Sequence, residues 1–338
     1  MADMTKIENK LREVFKDKGL KNLTVNLESG SKPGDGYAGV IIRALVNGVK
    51  EDTPKEYDVI VKCVPMNLDF RTCIPVTGVF IRENLFYTEI APYYLKIQDN
   101  SGIPQENKLE FPKYYSSSDE YGFEFVILNN LKTLGYEMIR CPTALDIEHT
   151  SIAIRSLRKL HLREFRCRRH DRGKPLYYTD YTACQCKKHC PTECHLSGSL
   201  WNKNIHIDPL FQDDKPVGHI LLDYQLVRYG SMANDMIMLI GVGGDRKLRK
   251  QLWDLVDVYY SSFKEYMELL NLNPEKYCTK EEMVEEVKTQ SIFALAMKIF
   301  GSPFLMTKEL YVACQSKYRP RNGQKQKMST IFFCLNTH

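Results

Sequence analysis

Apolar positions recur at strand spacing in the first part of this chain and at helix spacing in the last. YAGVIIRALV (37–46) and YDVIVKCV (57–64) are β-branched runs that predict strands, and the polar NGVKEDTPKE between them reads as a turn. Residues 79–97 change period: Ile81, Leu85, Phe86 and Ile90 fall on one helical face. Pro112 and the Ser116 to Asp119 cluster predict a loop, GFEFVIL (122–128) a third strand, and NNLKTLGYEM another loop. From Asp146 helices dominate. DIEHTSIAIRSLRKLHLREF sets Ile152, Leu157 and Leu160 on one side, and residues 252–270 and 280–300 read as long amphipathic helices. Thr279 and Glu282 predict a capping box for the second of these.

A strand-rich front and a helix-rich rear predict a two-lobed α+β plan. The expected divisions are a strand-rich lobe over 1–128 and a helical lobe over 129–315, with a catalytic-loop region at 195–236. A basic, poorly ordered tail is expected over 316–338.

Composition narrows the function classes. The chain has 338 residues, ample for a core, and its 43% hydrophobic and 26% charged fractions are ordinary globular values. A net charge of +5 suits a small anionic ligand and does not by itself argue for nucleic acid or membrane. MADMTKIENKLREVF reads as a polar amphipathic helix without a signal-peptide core, and apolar runs such as Met236 to Val242 are too short to cross a bilayer. The eleven cysteines are then read as reduced thiols. The expectation is a cytoplasmic monomer that engages neither nucleic acid nor membrane.

Candidate chemistry follows one order along the chain. Holding a nucleoside triphosphate takes a glycine-bearing turn, a strand lysine, a helix glutamate that fixes the lysine, and two oxygen ligands for magnesium. Gly34 and Gly36 precede the first strand, Lys62 sits in VIVKCV, and Glu83 follows on the helix. Asn204 lies after LWNK, and Asp223 ends GHILLD. Each alone also fits an ordinary part: a hairpin glycine, a solvent-facing lysine, a glutamate on a wet helix face, an aspartate at a turn.

The words LWNKNI, LLDYQLVRYG and NDMIML resemble the insect ecdysteroid kinase-like family, also called CHK kinase-like proteins, relatives of choline kinases and aminoglycoside phosphotransferases. VIVKCVP, VFIRENLFYTEIAP, FPKYY, FVILNNLKTLGY and LRKLH are similar to that family's blocks in the same order, over roughly residues 20–300. The resemblance implies a protein-kinase-like fold and ATP-dependent transfer, with magnesium, to a hydroxyl of a steroid or similar lipophilic alcohol. It also implies roles. Lys62 would bind phosphates and Glu83 would pair with it. Asn204 and Asp223 would hold magnesium, and Asp235 would brace the catalytic loop. The backbone of 127–131, including Leu128 and Asn130, would hold the adenine, and Trp201 would be a packing anchor.

The family pattern breaks in three places. Its His-Gly-Asp reads Ser197-Gly198-Ser199 here, so the catalytic Asp position is Ser199. A hydroxyl cannot usefully accept a proton near neutral pH, and losing such a base typically costs about 10²–10⁴ in rate. Asn129 and Asn130 replace an acidic pair. Residues 163–195 form a short, basic, Cys-rich stretch where the family has helices. Within it Cys184, Cys186, Cys190 and Cys194, with His170, His189 and His195 nearby, could ligate zinc, although their spacing is not that of a finger. The alternatives are therefore a pseudokinase that binds nucleotide or ligand without turnover, and a Cys-rich metal-binding or interaction module on the same scaffold.

Overall fold

The structure is a computed structural model, and it describes residues 3–30, 39–64, 71, 76–138, 146–161, 195–197, 205–207 and 219–306. The chain is α+β and divides into two compact units. Residues 89–111 belong with the helix-rich second unit, although residues on both sides of them, up to 88 and from 112 to 135, belong with the first.

The first unit begins with helix α1 (Met4–Asp17), whose Asp3 side chain caps it by accepting from Lys6 N at 3.1 Å. Strands β1 (Lys21–Ser29), β2 (Val40–Lys50), β3 (Thr53–Cys63), β4 (Tyr114–Ser118) and β5 (Phe125–Asn129) form an antiparallel sheet of order β1-β2-β3-β5-β4. Period-two alternation sends Ile42, Ala44, Val46, Val59 and Val61 to one face, where they pack with Ile7, Leu11 and Phe15 of α1. Burying the Ile, Val, Leu and Phe side chains here stabilises by about 1.5–3 kcal/mol each. The alternate residues of β3, Lys62 among them, face the other side.

Two expected loops are strand instead. NGVKEDTPKE is almost all ladder: β2 and β3 pair from Val40↔Cys63 to Lys50↔Thr53. The turn is only Glu51 and Asp52, at φ 49° and 58°, the left-handed pair whose twist suits a two-residue hairpin. The Ser116 to Asp119 cluster is largely β4, because an edge position beside β5 supplies its backbone partners. On helix α2 (Val76–Leu85) the buried positions are Val76, Val79, Phe80, Glu83 and Asn84, while Ile81 is exposed. The expected face is rotated because it includes a buried acid that apolar periodicity cannot register.

The second unit contains α3 (Ala91–Asn100), α4 (Ile147–His161), α5 (Ala233–Ile237), α6 (Arg246–Lys250), α7 (Leu252–Leu269) and α8 (Lys280–Met306). Leu157 and Leu160 are buried as expected, and α4 packs on α7, with Ile154, Leu157, Tyr259 and Phe263 all buried. The capping box is present: Thr279 N donates to Glu282 Oε2 at 2.7 Å and Glu282 N donates to Thr279 Oγ1 at 3.2 Å. Gly241 lets α8 come close, since a Cβ there would stand 3.2 Å from the Cβ of Ala294. Short strands β6 (Glu137–Met138), β8 (Ile205–Ile207) and β9 (His219–Leu221) pair in the order β6-β8-β9, and β7 (His195–Ser197) pairs with β10 (Arg228–Gly230). Among the described residues no helix is long and apolar enough to cross a membrane.

Candidate functional site

Lys62 and Glu83 meet. Lys62 pairs across β3 with Ile41 of β2 and Val126 of β5, so its backbone is held from both sides. Its Nζ lies 2.9 Å from Glu83 Oε2, with the Lys62 side chain 16% exposed and that of Glu83 2%. A buried carboxylate without a cation is costly, so the pair fixes the lysine's direction as well as its charge. Gly39, just before β2, is part of the same close packing. A Cβ there would sit 3.1 Å from Cys63 O and 3.5 Å from Lys62 Cγ and Phe80 Cζ. The expected glycines, Gly34 and Gly36, lie outside the described residues.

In the second unit the strand registers arrange the rest. The chain from 198 to 204 joins β7 to β8, and the chain from 222 to 227 joins β9 to β10. β8 pairs antiparallel with β9, Ile205 opposite Leu221, and β7 pairs antiparallel with β10, Ser197 opposite Arg228. Both ends of one connection are thus hydrogen-bonded to both ends of the other. Ser199 and Asn204 lie outside the described residues, but the connection that carries them is tied at each end to the one that carries Asp223. Asp223 is half-buried and left-handed, at φ 66° and ψ 63°, between β9 and a short 3₁₀ turn, Tyr224–Leu226. Aspartate is one of the few side chains that tolerates this conformation.

The 127–131 stretch does a structural job. Asn130 N–H donates to Asp58 O at 3.0 Å and its Nδ2 donates to Asp58 Oδ1 at 3.0 Å. Its Oδ1 accepts from Lys132 N at 3.2 Å, and its carbonyl accepts from Thr133. Each polar group of Asn130 therefore has a partner inside its own unit. Leu128 is a central ladder residue, opposite Ile60 on one side and Tyr114 on the other. Asp58 also takes Arg43, with Nη2 to Oδ2 at 2.7 Å. Burial works against the Asp58 charge, but Arg43 and Asn130 hold its carboxyl below the usual range.

Asp235 is fully buried near the start of α5, with Oδ2 3.1 Å from His161 Nε2. The loop it is expected to brace lies largely outside the described residues. His161 is a member of this polar core that carries no predicted role; its one visible signal is the end of LRKLH. Glu124, buried within GFEFVIL in the first unit, is another buried polar residue with no predicted role. Trp201, the stretch 163–194 and thus Cys184, Cys186, Cys190 and Cys194 lie outside the described residues. Among the described residues no three His, Cys, Asp or Glu side chains cluster as a metal site would require.

The ecdysteroid kinase-like family's sequence model matches residues 33–170 and 172–272. No curated protein matches the chain. Among solved structures, a mutant of aminoglycoside 2'-phosphotransferase IIIa in complex with GDP is 10% identical, with a TM-score of 0.38. It covers 88% of this chain and 97% of its own.

Proposed function

Since this chain belongs to the ecdysteroid kinase-like family, with that family's protein-kinase-like fold class, we propose that it binds ATP and magnesium as a small-molecule phosphotransferase weakened at its base position. The acceptor in this reading is a hydroxyl on a steroid or similar lipophilic alcohol. The observation that carries it is the pairing of β7 with β10 and of β8 with β9, which ties the Ser199 and Asn204 connection to that of Asp223.

The donor set fits the cofactors. Asp223 offers a carboxylate and Asn204 an amide oxygen, the hard ligands magnesium takes alongside phosphate. Lys62, oriented by Glu83, supplies a fixed positive charge for phosphate oxygens. Bound magnesium would neutralise charge developing on the transferred phosphoryl group. Adenine contact falls in this reading to the 127–131 stretch apart from Asn130, whose polar groups are engaged elsewhere.

Ser199 is the weak point. A serine hydroxyl can orient an acceptor but cannot hold its proton at neutral pH, so transfer is slowed by about 10²–10⁴ while binding persists. The same residue favours a second reading, a pseudokinase that binds without transferring. A thermal melt decides binding: ATP with magnesium raises the melting temperature of the full chain, and Asp223→Asn removes the rise. No rise in the unaltered chain overturns the proposal. Transfer assayed with and without Ser199→Asp separates a slow enzyme, which is accelerated from a measurable rate, from a pseudokinase, which starts from none.

A further inference from the structure

We propose that Glu124 is a positioning residue for the Lys62–Glu83 pair, holding the start of the Glu83 helix against the end of the Lys62 strand. The proposal rests on the reading of Lys62 as the phosphate lysine.

Glu124 is fully buried, and both of its carboxylate oxygens are satisfied by donors from three separate places. Arg71, ahead of α2, donates Nη2 to Oε1 at 2.6 Å and Nη1 to Oε2 at 3.0 Å. Thr77, in the first turn of α2, donates its hydroxyl to Oε1 at 2.8 Å and also accepts from Arg71 at 3.1 Å. Gly122 N–H, in the turn before β5, donates to Oε2 at 2.9 Å. Tyr121 closes the outside of the cluster, with its ring 4.3 Å from the Arg71 guanidinium carbon. Burial opposes the Glu124 charge, yet Arg71 and Thr77 keep its carboxyl below the usual range, consistent with an ionised clamp.

The backbone of the same residue holds the other partner. Glu124 O accepts from Val64 N at 3.0 Å, two residues beyond Lys62, and Val126, two residues beyond Glu124, is the cross-strand partner of Lys62. One residue thus grips the first turn of α2 with its side chain and the end of β3 with its main chain. Glu83 lies six residues along the helix from Thr77, about 9 Å at the α-helical rise, so a slip of that first turn displaces Glu83 from Lys62. A purely structural anchor could sit anywhere on α2. This one joins the two elements whose relative position makes the ion pair.

The test reads Lys62 directly in the full chain. A small amine-acylating reagent is applied with and without ATP and magnesium, and modification of the Lys62 peptide is followed by mass spectrometry. Wild type is compared with Glu124→Gln, Glu83→Gln and the double variant. Each single substitution is expected to raise Lys62 acylation about tenfold, as the amine is released from its ion pair. The double variant should rise no further, because both act on the same pair. ATP affinity should weaken with the same non-additivity, and acylation of Lys10 and Lys288 should stay constant. If Glu124→Gln does not fold, Arg71→Met removes the clamp's charged donor and takes its place. Wild-type Lys62 acylation in folded Glu124→Gln, with a rise in Glu83→Gln, would overturn the proposal. So would a Glu83→Gln protein that reacts like wild type. If ATP fails to protect Lys62 in wild type, the nucleotide reading falls, while the acylation series without nucleotide still decides the role of Glu124.

Discussion

Asp235 Oδ2 lies 3.1 Å from His161 Nε2, and neither residue is exposed to solvent. His161 Nδ1 is 2.8 Å from the Tyr259 hydroxyl, which lies 3.3 Å from Met232 Sδ. This polar ladder joins α4, α5 and α7. Asp235→Ala leaves a ring nitrogen buried without its acceptor and is expected to cost about 3 kcal/mol. Tyr259→Phe removes one hydroxyl and should cost about 1 kcal/mol. Urea denaturation of the two variants measures both, and equal losses would contradict the ladder.

Glu83 is buried because Lys62 is there. Lys62→Met removes the amine 2.9 Å from this buried carboxylate and is expected to destabilise the fold by about 3 kcal/mol. Adding Glu83→Leu to Lys62→Met removes the buried charge and should recover part of that loss. If the double variant is less stable than Lys62→Met alone, Glu83 has other work in the core.

Backbone conformation separates the substitutions at Asp223. Its φ of 66° is tolerated by Asn and strained for a β-branched residue. Asp223→Asn should melt like wild type, whereas Asp223→Val should lose about 1–2 kcal/mol. Equal melting temperatures would mean that the left-handed turn relaxes on substitution.

His219 predicts a pH dependence. Both ring nitrogens are buried without a hydrogen-bond partner among the described residues, and burial, with the nearby Lys159 charge, lowers its pKa to about 3. The folded value is below the ordinary value of about 6.5, so the unfolded chain takes the proton first. The stability tied to this residue is present above about pH 6.5 and is lost progressively as pH falls toward 3. Between pH 7.5 and 5 the loss should be about 2 kcal/mol, and His219→Phe should flatten that part of the profile. An unchanged slope would assign the acid sensitivity to other groups.

The capping box offers a small, clean effect. Thr279→Ala removes the bond to Glu282 N and should lower stability by about 1 kcal/mol, with little further loss on adding Glu282→Ala. Additive losses would show the two bonds to be independent.

The residues legible in advance share a property. Lys62, Glu83 and Asp223 each sit in a segment whose own pattern announces a strand, a helix or a strand end, and family resemblance supplies their order. Glu124 and His161 have no such announcement. Their partners lie far along the chain: Arg71 is 53 residues from Glu124, and Asp235 and Tyr259 are 74 and 98 residues from His161. A polar residue inside an apolar run looks the same whether it is buried or wet until its partner is known. Asn130 hides its structural partner for the same reason, since Asp58, 72 residues earlier, accepts from its side-chain amide.

What the sequence by itself determined is local and chemical. Backbone sterics and side-chain periodicity choose strand or helix over a few residues, so α1, β2, β3, α4, α7, α8 and the Thr279 cap could be read directly. Family resemblance sets Ser199 against an expected catalytic Asp, and no packing can turn a hydroxyl into a carboxylate. Only the tertiary structure decided that β7 pairs with β10 while β8 pairs with β9, that 47–50 and 53–56 are ladder, and that Glu124 is a clamp. Those outcomes depend on backbone and buried polar groups finding partners, and partners distant in sequence exist only once the chain has folded.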